Sequence, residues 1–177
     1  ASNTTGILGE GYHHTTLKNC KTSNSKIYST GRYSNNACVS GIVGTIADTV
    51  NIDNCDVENT EITGPQAGNV AGILGTSYGS YEKNIKNCDV VNTTLTGEAL
   101  YTTHRSNSTV AGLTGYYGNS LNLENDNVIG CTINGKGCIT TGGAAVGTTL
   151  SAKNVTIKDT TITESGVNDL VYNEIME

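Results

Sequence analysis

Two aspartates at equivalent positions of a repeated phrase, Asp56 and Asp89, are the best candidates for chemistry in this 177-residue chain. If their strands stack, the two carboxylates lie one strand spacing apart, about 4.8 Å. At that distance they could raise each other's pKa or bind calcium. Asp53 and Asp126 lie nearby in the same phrase. The other repeats carry Lys21, Asn127 and Thr156 at that position. This mixture is typical of a solvated outer face, so we interpret the pair as surface residues and keep catalysis as the alternative.

The three histidines and the two arginines suggest no metal or cofactor site. His13 and His14 are adjacent, and adjacent residues of a strand point in opposite directions. His104 and Arg105 lie in the longest insert between repeated phrases, residues 98–109. Inserts of a solenoid lie on one face and often bind partners, so we predict His104-Arg105 as a binding candidate, with a polar loop as the alternative. We find no zinc-protease, serine-hydrolase or phosphate-loop motif, and we predict no catalytic residue, no metal and no cofactor.

Tyrosine is concentrated in the segments that separate two kinds of repeated phrase. These segments contain Tyr12, Tyr78, Tyr81, Tyr116 and Tyr117. In a stacked solenoid such segments share one edge. An exposed Tyr offers flat apolar area with a polar tip, which suits sugar rings and protein partners. We therefore predict a binding edge formed by Tyr78, Tyr81, Tyr116 and Tyr117, with ordinary loop packing as the alternative.

Five copies of one thirteen-residue phrase must position these residues. The copies are Leu17–Ser29, Ile52–Gly64, Ile85–Gly97, Leu123–Gly135 and Ala152–Glu164. They recur every 29 to 38 residues, which is the spacing of a solenoid. Each copy has Asn at its third place: Asn19, Asn54, Asn87, Asn125 and Asn154. We predict that these asparagines are structural and stack as a ladder.

The phrase has apolar residues at its first, sixth and eleventh places, five residues apart, which is the period neither of a helix nor of a long strand. The third and eighth places hold Asn, Asp or Gly, which tolerate a left-handed backbone at a corner. Each phrase therefore predicts three short strands joined by two corners. The second place alternates in charge along the five copies: Lys18, Asp53, Lys86, Glu124 and Lys153. Stacked copies would then place opposite charges side by side.

A glycine-rich phrase precedes each copy and supplies a further strand. It reads Gly-(Ile/Leu)-x-Gly at 6–9, 41–44, 72–75 and 112–115, and Ala144-Ala145-Val146-Gly147 in the fifth unit. We predict an all-β chain that forms a right-handed parallel β-helix, or β-solenoid, of about five turns. The repeats occupy residues 1–166, and residues 167–177 form a C-terminal cap or tail. The units lie near residues 6–29, 41–64, 72–97, 112–135 and 144–164.

Composition agrees with a narrow solenoid and limits the partners. The chain has no Phe, no Trp and one Pro, and its net charge is −6. Because it has no basic stripe, we expect no nucleic-acid partner, and because it has no long apolar stretch, no membrane insertion. Cys20, Cys55 and Cys88 share the fourth place, where we expect an inward stack of small apolar thiols. Spacing also leaves open the disulfides Cys55–Cys88 and Cys131–Cys138.

The segment Ala71-Gly72-Ile73-Leu74-Gly75, with Ile85-Lys86-Asn87-Cys88-Asp89-Val90 and Leu95-Thr96-Gly97 after it, resembles the Glug motif, a glycine-rich repeat of bacterial surface proteins. The likeness covers most of residues 6–164. It departs from the motif where the doubled Gly is missing before Ile42, Ile73 and Leu113, and where Asp126 and Val155 replace Cys. It implies an extracellular, surface-linked bacterial protein with a non-catalytic stalk or adhesin module.

These observations predict a non-catalytic module for adhesion or structure at a bacterial cell surface. It would be part of a larger surface protein or assembly and would bind a glycan or a surface protein. The alternative is a carbohydrate-active β-helix enzyme of the polysaccharide lyase or glycoside hydrolase type, with Asp56 and Asp89 as its weak catalytic candidates, because that fold also hosts such enzymes.

Overall fold

The computed structural model describes residues 3–29, 37–64, 68–98, 109–117, 120–136, 138, 140–147 and 150–164. These residues form twenty-five short strands, five in each successive coil. The predicted cap at 167–177 and the His104-Arg105 insert lie outside the described residues. No helix with the length and hydropathy needed to cross a bilayer occurs in the described ranges.

The strand bounds repeat from coil to coil. Coil 1 contains β1 (Thr4–Thr5), β2 (Leu8–Gly11), β3 (Thr15–Lys18), β4 (Lys21–Ser23) and β5 (Lys26–Tyr28). Coil 2 contains β6 (Cys38–Ser40), β7 (Val43–Ile46), β8 (Val50–Asp53), β9 (Asp56–Glu58) and β10 (Glu61–Gly64). Coil 3 contains β11 (Asn69–Ala71), β12 (Leu74–Ser77), β13 (Lys83–Lys86), β14 (Asp89–Val91) and β15 (Thr94–Glu98). Coil 4 contains β16 (Thr109–Ala111), β17 (Thr114–Tyr117), β18 (Leu121–Glu124), β19 (Asn127–Ile129) and β20 (Thr132–Lys136). Coil 5 contains β21 (Thr140–Gly142), β22 (Ala145–Gly147), β23 (Leu150–Lys153), β24 (Thr156–Lys158) and β25 (Thr161–Glu164).

Equivalent strands of successive coils pair in parallel and form five sheets of five strands. We number the sheets 1 to 5 in the order in which the chain enters them, so that sheet 1 begins with β1 and sheet 5 with β5. Each strand of coils 2, 3 and 4 therefore hydrogen-bonds to the coil above and the coil below, and each strand of coils 1 and 5 pairs on one side in the described structure. This parallel β-solenoid confirms the predicted fold class.

The apolar columns of the repeated phrase are confirmed as stacked and inward-facing. Ile62 pairs with Leu95 and Leu95 with Ile133, and all three are fully buried. Val57, Val90 and Val128 form the next column in the same way. Alternation within each strand turns every second side chain inward, so a narrow core needs no large aromatic residue. The last member of the Ile column, Ile162, is only half-buried because coil 5 has no described coil above it.

The corners are left-handed, as the Asn, Asp and Gly places predicted. At the third place φ is 56° for Asn19, 54° for Asn54, 53° for Asn87, 58° for Asn125 and 55° for Asn154. At the eighth place it is 50° for Asn24, 48° for Asn59, 49° for Asn92, 63° for Gly130 and 51° for Asp159. A left-handed residue turns the strand direction in one step, which is why each phrase contains three strands rather than one.

The glycine phrase is needed because two coils approach closely. A Cβ at Gly72 would overlap the carbonyl oxygen of Gly112 and lie 2.6 Å from Cγ2 of Val90. The predicted alignment of the fifth phrase is wrong by one residue. Thr114 pairs with Ala145, and Gly112 N–H donates to the carbonyl of Gly143. The phrase is therefore Gly143-Ala144-Ala145-Val146, and an irregularity in pairing before Gly147 absorbs the difference.

Candidate functional site

The segments between sheets 2 and 3, together with the end of β17 in sheet 2, form the edge that carries the tyrosines, and we call it the Tyr edge. It comprises Tyr12, Tyr78, Tyr81, Tyr116 and Tyr117. Tyr12 is 64% exposed and Tyr81 is 53% exposed, whereas Tyr78 is half-buried. Tyr116 and Tyr117 belong to β17, where their backbones pair with Thr76 and Ser77, and their side chains are outside the described part of the structure.

The Tyr edge is not uniform along the solenoid. Tyr12 lies in coil 1, and Tyr78 and Tyr81 lie in coil 3. Coil 2 has only the short segment Ala47-Asp48-Thr49 between its second and third strands. The aromatic area described on this edge is therefore centred on the coil 3 loop, residues 78–82.

A buried lysine supports that loop from inside the core. Lys83 begins β13 in an inward column between Val50 and Leu121, and it is fully buried. Its Nζ donates hydrogen bonds to the carbonyl oxygens of Tyr81, at 2.6 Å, and Gly79, at 3.0 Å. Burial lowers the pKa of Lys83, and the two carbonyls compensate its charge. A lysine aligned with Val and Leu was a sequence signal for this role, and we did not predict it.

The charge of the Tyr edge is mainly acidic. The Tyr12 hydroxyl donates to Glu10 Oε1 at 2.7 Å, and that hydrogen bond raises the pKa of Tyr12. His13 has a left-handed backbone, with φ of 61°. Its Nδ1 lies 3.8 Å from Oδ2 of Asp48 in coil 2. Glu82 lies in the coil 3 loop and accepts from Asn122 at 3.4 Å. With the Lys83 ammonium enclosed, the polar groups described at this edge are mainly carboxylates and phenols.

Asp56 and Asp89 lie one coil apart on the outer face of sheet 4. The backbone N–H of Asp89 donates to Asp56 Oδ1 at 3.2 Å. Asn127 Nδ2 donates to Asp89 Oδ1 at 2.7 Å. Burial raises the pKa of Asp56. The described ranges contain no group of three or more His, Cys, Asp or Glu side chains that could hold a metal ion. Both carboxylates thus take part in a ladder of hydrogen bonds between coils.

The Asn ladder forms, but it is interrupted once. Asn54 donates to Asn19 at 2.7 Å, Asn125 donates to Asn87 at 3.2 Å, and Asn154 donates to Asn125 at 3.0 Å. Asn87 does not continue the ladder to Asn54, because its Nδ2 donates to Asp53 Oδ1 at 2.9 Å instead. A charged acceptor is stronger than an amide, and this hydrogen bond lowers the pKa of Asp53. A second ladder on sheet 3, not predicted, joins Asn51, Asn84 and Asn122 at 2.9 Å per step.

The alternating charge column is confirmed by strand register, and three of its four steps are ion pairs. The Nζ atom of Lys18 lies 3.6 Å from Oδ2 of Asp53. The Nζ atoms of Lys86 and Lys153 lie 2.9 Å from Oε2 and 3.3 Å from Oε1 of Glu124. The ion pairs Lys26–Glu61, at 2.7 Å, and Lys136–Glu98, at 3.0 Å, join neighbouring strands of sheet 5 in the same way. Such ladders fix the register of the coils rather than create a reactive site.

The cysteine column faces inward as predicted, and all six cysteines are thiols rather than disulfides. Cys55 and Cys88 are fully buried, and Cys20 at the open end is half-buried. Contact with Cys55 and burial both raise the pKa of Cys88. Burial raises the pKa of Cys38 to about 11. Burial also raises the pKa of Cys131. Cys38, Cys88 and Cys131 are therefore poor nucleophiles at neutral pH. The pKa of Cys55 is shifted the other way, because its hydrogen bond with Cys88 lowers it.

Comparisons with protein-family models, with curated proteins and with solved structures give no match to this chain.

Proposed function

We propose that this chain is a non-catalytic adhesion or structural module of a larger bacterial cell-surface protein, and that it binds a glycan or a surface protein through the Tyr edge. The observation that carries the proposal is the loop 78–82, where the half-exposed ring of Tyr81 is presented on a backbone held by the buried ammonium of Lys83. An aromatic side chain that is already ordered loses little entropy on binding.

The division of labour between scaffold and edge supports the same function. The repeated phrase is fixed by cross-coil hydrogen bonds, ion pairs and a continuous core. The segments between sheets 2 and 3 differ in length and sequence from coil to coil. Variable segments on a rigid scaffold usually carry the binding function.

The extracellular and bacterial parts of the proposal rest on the resemblance of residues 6–164 to the Glug motif. The repeated Gly-Ile-x-Gly and Asn-Cys elements are the features that such surface repeats share with this chain. A rigid, acidic rod of this kind suits a stalk that projects a binding edge away from a cell.

The alternative is a carbohydrate-active enzyme that uses Asp56 and Asp89. One observation favours it: burial raises the pKa of Asp56 beside a second carboxylate, and a raised pKa is what a general acid requires. A structural role explains Asp56 and Asp89 equally well. Asp56 accepts the backbone N–H of Asp89, and Asp89 accepts the side-chain amide of Asn127, so both carboxylates join neighbouring coils.

The test combines a glycan array and a surface-protein pull-down with a polysaccharide degradation assay. The test uses a protein that carries Tyr28→Thr, so that the exposed tyrosine of sheet 5 cannot contribute. In this protein, replacing Tyr78, Tyr81, Tyr116 and Tyr117 together by Ser should abolish binding and leave the melting temperature nearly unchanged. Ile7→Ser is the matched control, because Ile7 is 46% exposed at a different corner, and it should bind normally.

Binding that survives the four substitutions rejects the Tyr edge. Degradation that is lost on Asp56→Asn or Asp89→Asn, with binding intact, establishes the enzyme instead.

A further inference from the structure

A second surface with the chemistry of a binding site lies on the outer face of sheet 5, away from the Tyr edge. Tyr28 ends β5 with its side chain outward and is 58% exposed. Among the large hydrophobic residues that the structure shows exposed, Ile7 and Tyr12 lie outside the strands and Tyr81 lies in the coil 3 loop. Tyr28 is the one of these four that belongs to a strand and faces out from a sheet.

The neighbours of Tyr28 are polar and fixed by strand pairing. Lys26 lies on the same face two residues earlier, and Thr63 is the register partner of Tyr28 in coil 2. Glu61 is the register partner of Lys26, and their side chains form an ion pair of 2.7 Å that remains largely exposed. The four side chains thus occupy a rectangle of about 4.8 by 7 Å, which is set by strand spacing and by the two-residue repeat.

An open groove continues from this rectangle along the corner between sheets 4 and 5. It has a volume of about 530 Å³ and is lined by the corner amides Asn24, Asn59 and Asn92, together with Lys26, Glu61 and Thr94. The three asparagines have φ between 48° and 50°, so the backbone holds each of them in the same orientation. Asn92 donates to Asn59 at 3.4 Å, a long contact that leaves these amides available to a ligand.

This combination favours an uncharged, hydroxyl-rich ligand. The Lys26 ammonium and the Glu61 carboxylate neutralise each other, so the surface offers both donors and acceptors without a net charge. Amides also provide both functions. The flat ring of Tyr28 supplies an apolar surface beside them. An anionic polymer would meet Glu61 beside every contact with Lys26, and an apolar protein surface would have to desolvate the ion pair.

We propose that the outer face of sheet 5 around Tyr28, together with the groove lined by Asn24, Asn59 and Asn92, binds a neutral polysaccharide that lies along the solenoid axis. A polymer in this direction meets the same amide in each of coils 1, 2 and 3, about every 4.8 Å. Tyr28 contacts the ring face of one sugar, and the Lys26–Glu61 pair bonds to its hydroxyls. This site is separate from the Tyr edge, and it does not depend on the edge being functional.

The experiment is native affinity electrophoresis in gels that contain mixed-linkage β-glucan, galactomannan or polygalacturonate. The protein is used with Tyr78, Tyr81, Tyr116 and Tyr117 replaced by Ser, so that only sheet 5 can contribute. At least one neutral polysaccharide should retard this protein, and polygalacturonate should not. Adding Tyr28→Thr should weaken the apparent affinity by about tenfold or more, as loss of a central aromatic contact does, while Tyr28→Phe should retain most of it.

A folding control and one further variant keep the test decisive. Thr is the residue that coils 2 and 3 carry in the Tyr28 column, at Thr63 and Thr96, so Tyr28→Thr should fold normally, and its melting curve checks this. Asn59→Gly keeps the left-handed corner but removes the central amide of the groove, and it should weaken retardation several-fold. Migration unaffected by all neutral polysaccharides, undiminished retardation of Tyr28→Thr, or equal retardation by polygalacturonate would each overturn the proposal.

Discussion

Asp126 takes the place of a cysteine sulfur and accepts the backbone N–H of Cys88 at 2.9 Å. One coil earlier, the N–H of Cys55 is directed in the same way to Sγ of Cys88, at 3.4 Å. Asp126 is fully buried, and its second oxygen accepts the N–H of Glu124 at 3.0 Å. In coils 3 and 4 the column of small inward residues thus supplies an acceptor to the coil before it, and in coil 4 that acceptor is a carboxyl group.

Asp126 should make stability depend on pH. Burial outweighs the two backbone hydrogen bonds and raises the pKa of Asp126 to about 7, whereas an unfolded Asp has a pKa of about 3.9. The folded state therefore holds the proton more tightly, and this contribution is present below pH 4 and is lost as pH rises to about 7. Relative to Asp126→Cys, which restores the residue of the preceding coils, the wild type should lose roughly 2–5 kcal/mol between pH 4 and pH 8.

Urea unfolding of the two proteins at several pH values measures this difference. The other carboxylates titrate equally in both proteins, so only the gap between the two stability curves is diagnostic. A gap that stays constant from pH 4 to pH 8 would show that Asp126 is ionised in the folded core.

The Ile column should not tolerate a charge. Leu95→Asp places a carboxylate in a position that is fully buried between Ile62 and Ile133, and the cost should exceed about 4 kcal/mol and unfold the solenoid. Thr94→Asp is the control, because Thr94 precedes Leu95 on the same strand and is exposed. Circular dichroism melts should separate the two variants clearly. A Leu95→Asp protein that melts like the parent would contradict the inward assignment.

The fold could be predicted from the repeat because each place of the phrase has one physical requirement. Ile62 and Leu95 mark the core, and Asn54 and Asn87 mark the left-handed corners, so stacking the copies gives the register directly. Charges at Lys86 and Glu124 then agree with that register. Local requirements of this kind can be read from residue type alone.

Departures from the repeat were not predictable in the same way. Lys83 and Asp126 are polar residues at inward places, and their meaning depends on which carbonyl or N–H groups lie within reach in three dimensions. The Asn87 amide donates to Asp53 rather than to Asn54, and residue type alone does not decide between these two acceptors. The fifth glycine phrase was misaligned because Gly147 matched by residue type, whereas pairing follows Ala145. The binding residues of the Tyr edge remain predictions.

Asn87 should contribute through both its conformation and its hydrogen bonds. Asn87→Leu forces a branched residue into φ of 53° and removes the bonds to Asp53 and from Asn125. We expect a loss of about 2–3 kcal/mol. Asn87→Gly removes the same bonds but accepts the left-handed backbone, and it should lose only about 1 kcal/mol. Chemical denaturation of both variants measures the two parts. Equal losses for Leu and Gly would mean that the corner conformation contributes nothing.

Lys83 should order the loop of the Tyr edge without being needed for the fold. Lys83→Met keeps an unbranched apolar chain in the column between Val50 and Leu121, but it removes the donors to the carbonyls of Tyr81 and Gly79. The melting temperature should change little, because the cost of burying the ammonium disappears together with its hydrogen bonds. Amide hydrogen exchange of the peptide that contains residues 78–82 should become about tenfold faster or more, since a hydrogen bond from a charged group is worth about 1.5–3 kcal/mol.

Lys86→Met is the matched control: Lys86 lies on the same strand but points outward to Glu124, so its loss should leave exchange in this loop unchanged. Unaltered exchange in Lys83→Met would show that the loop is ordered by its own packing and that the lysine is only a core residue.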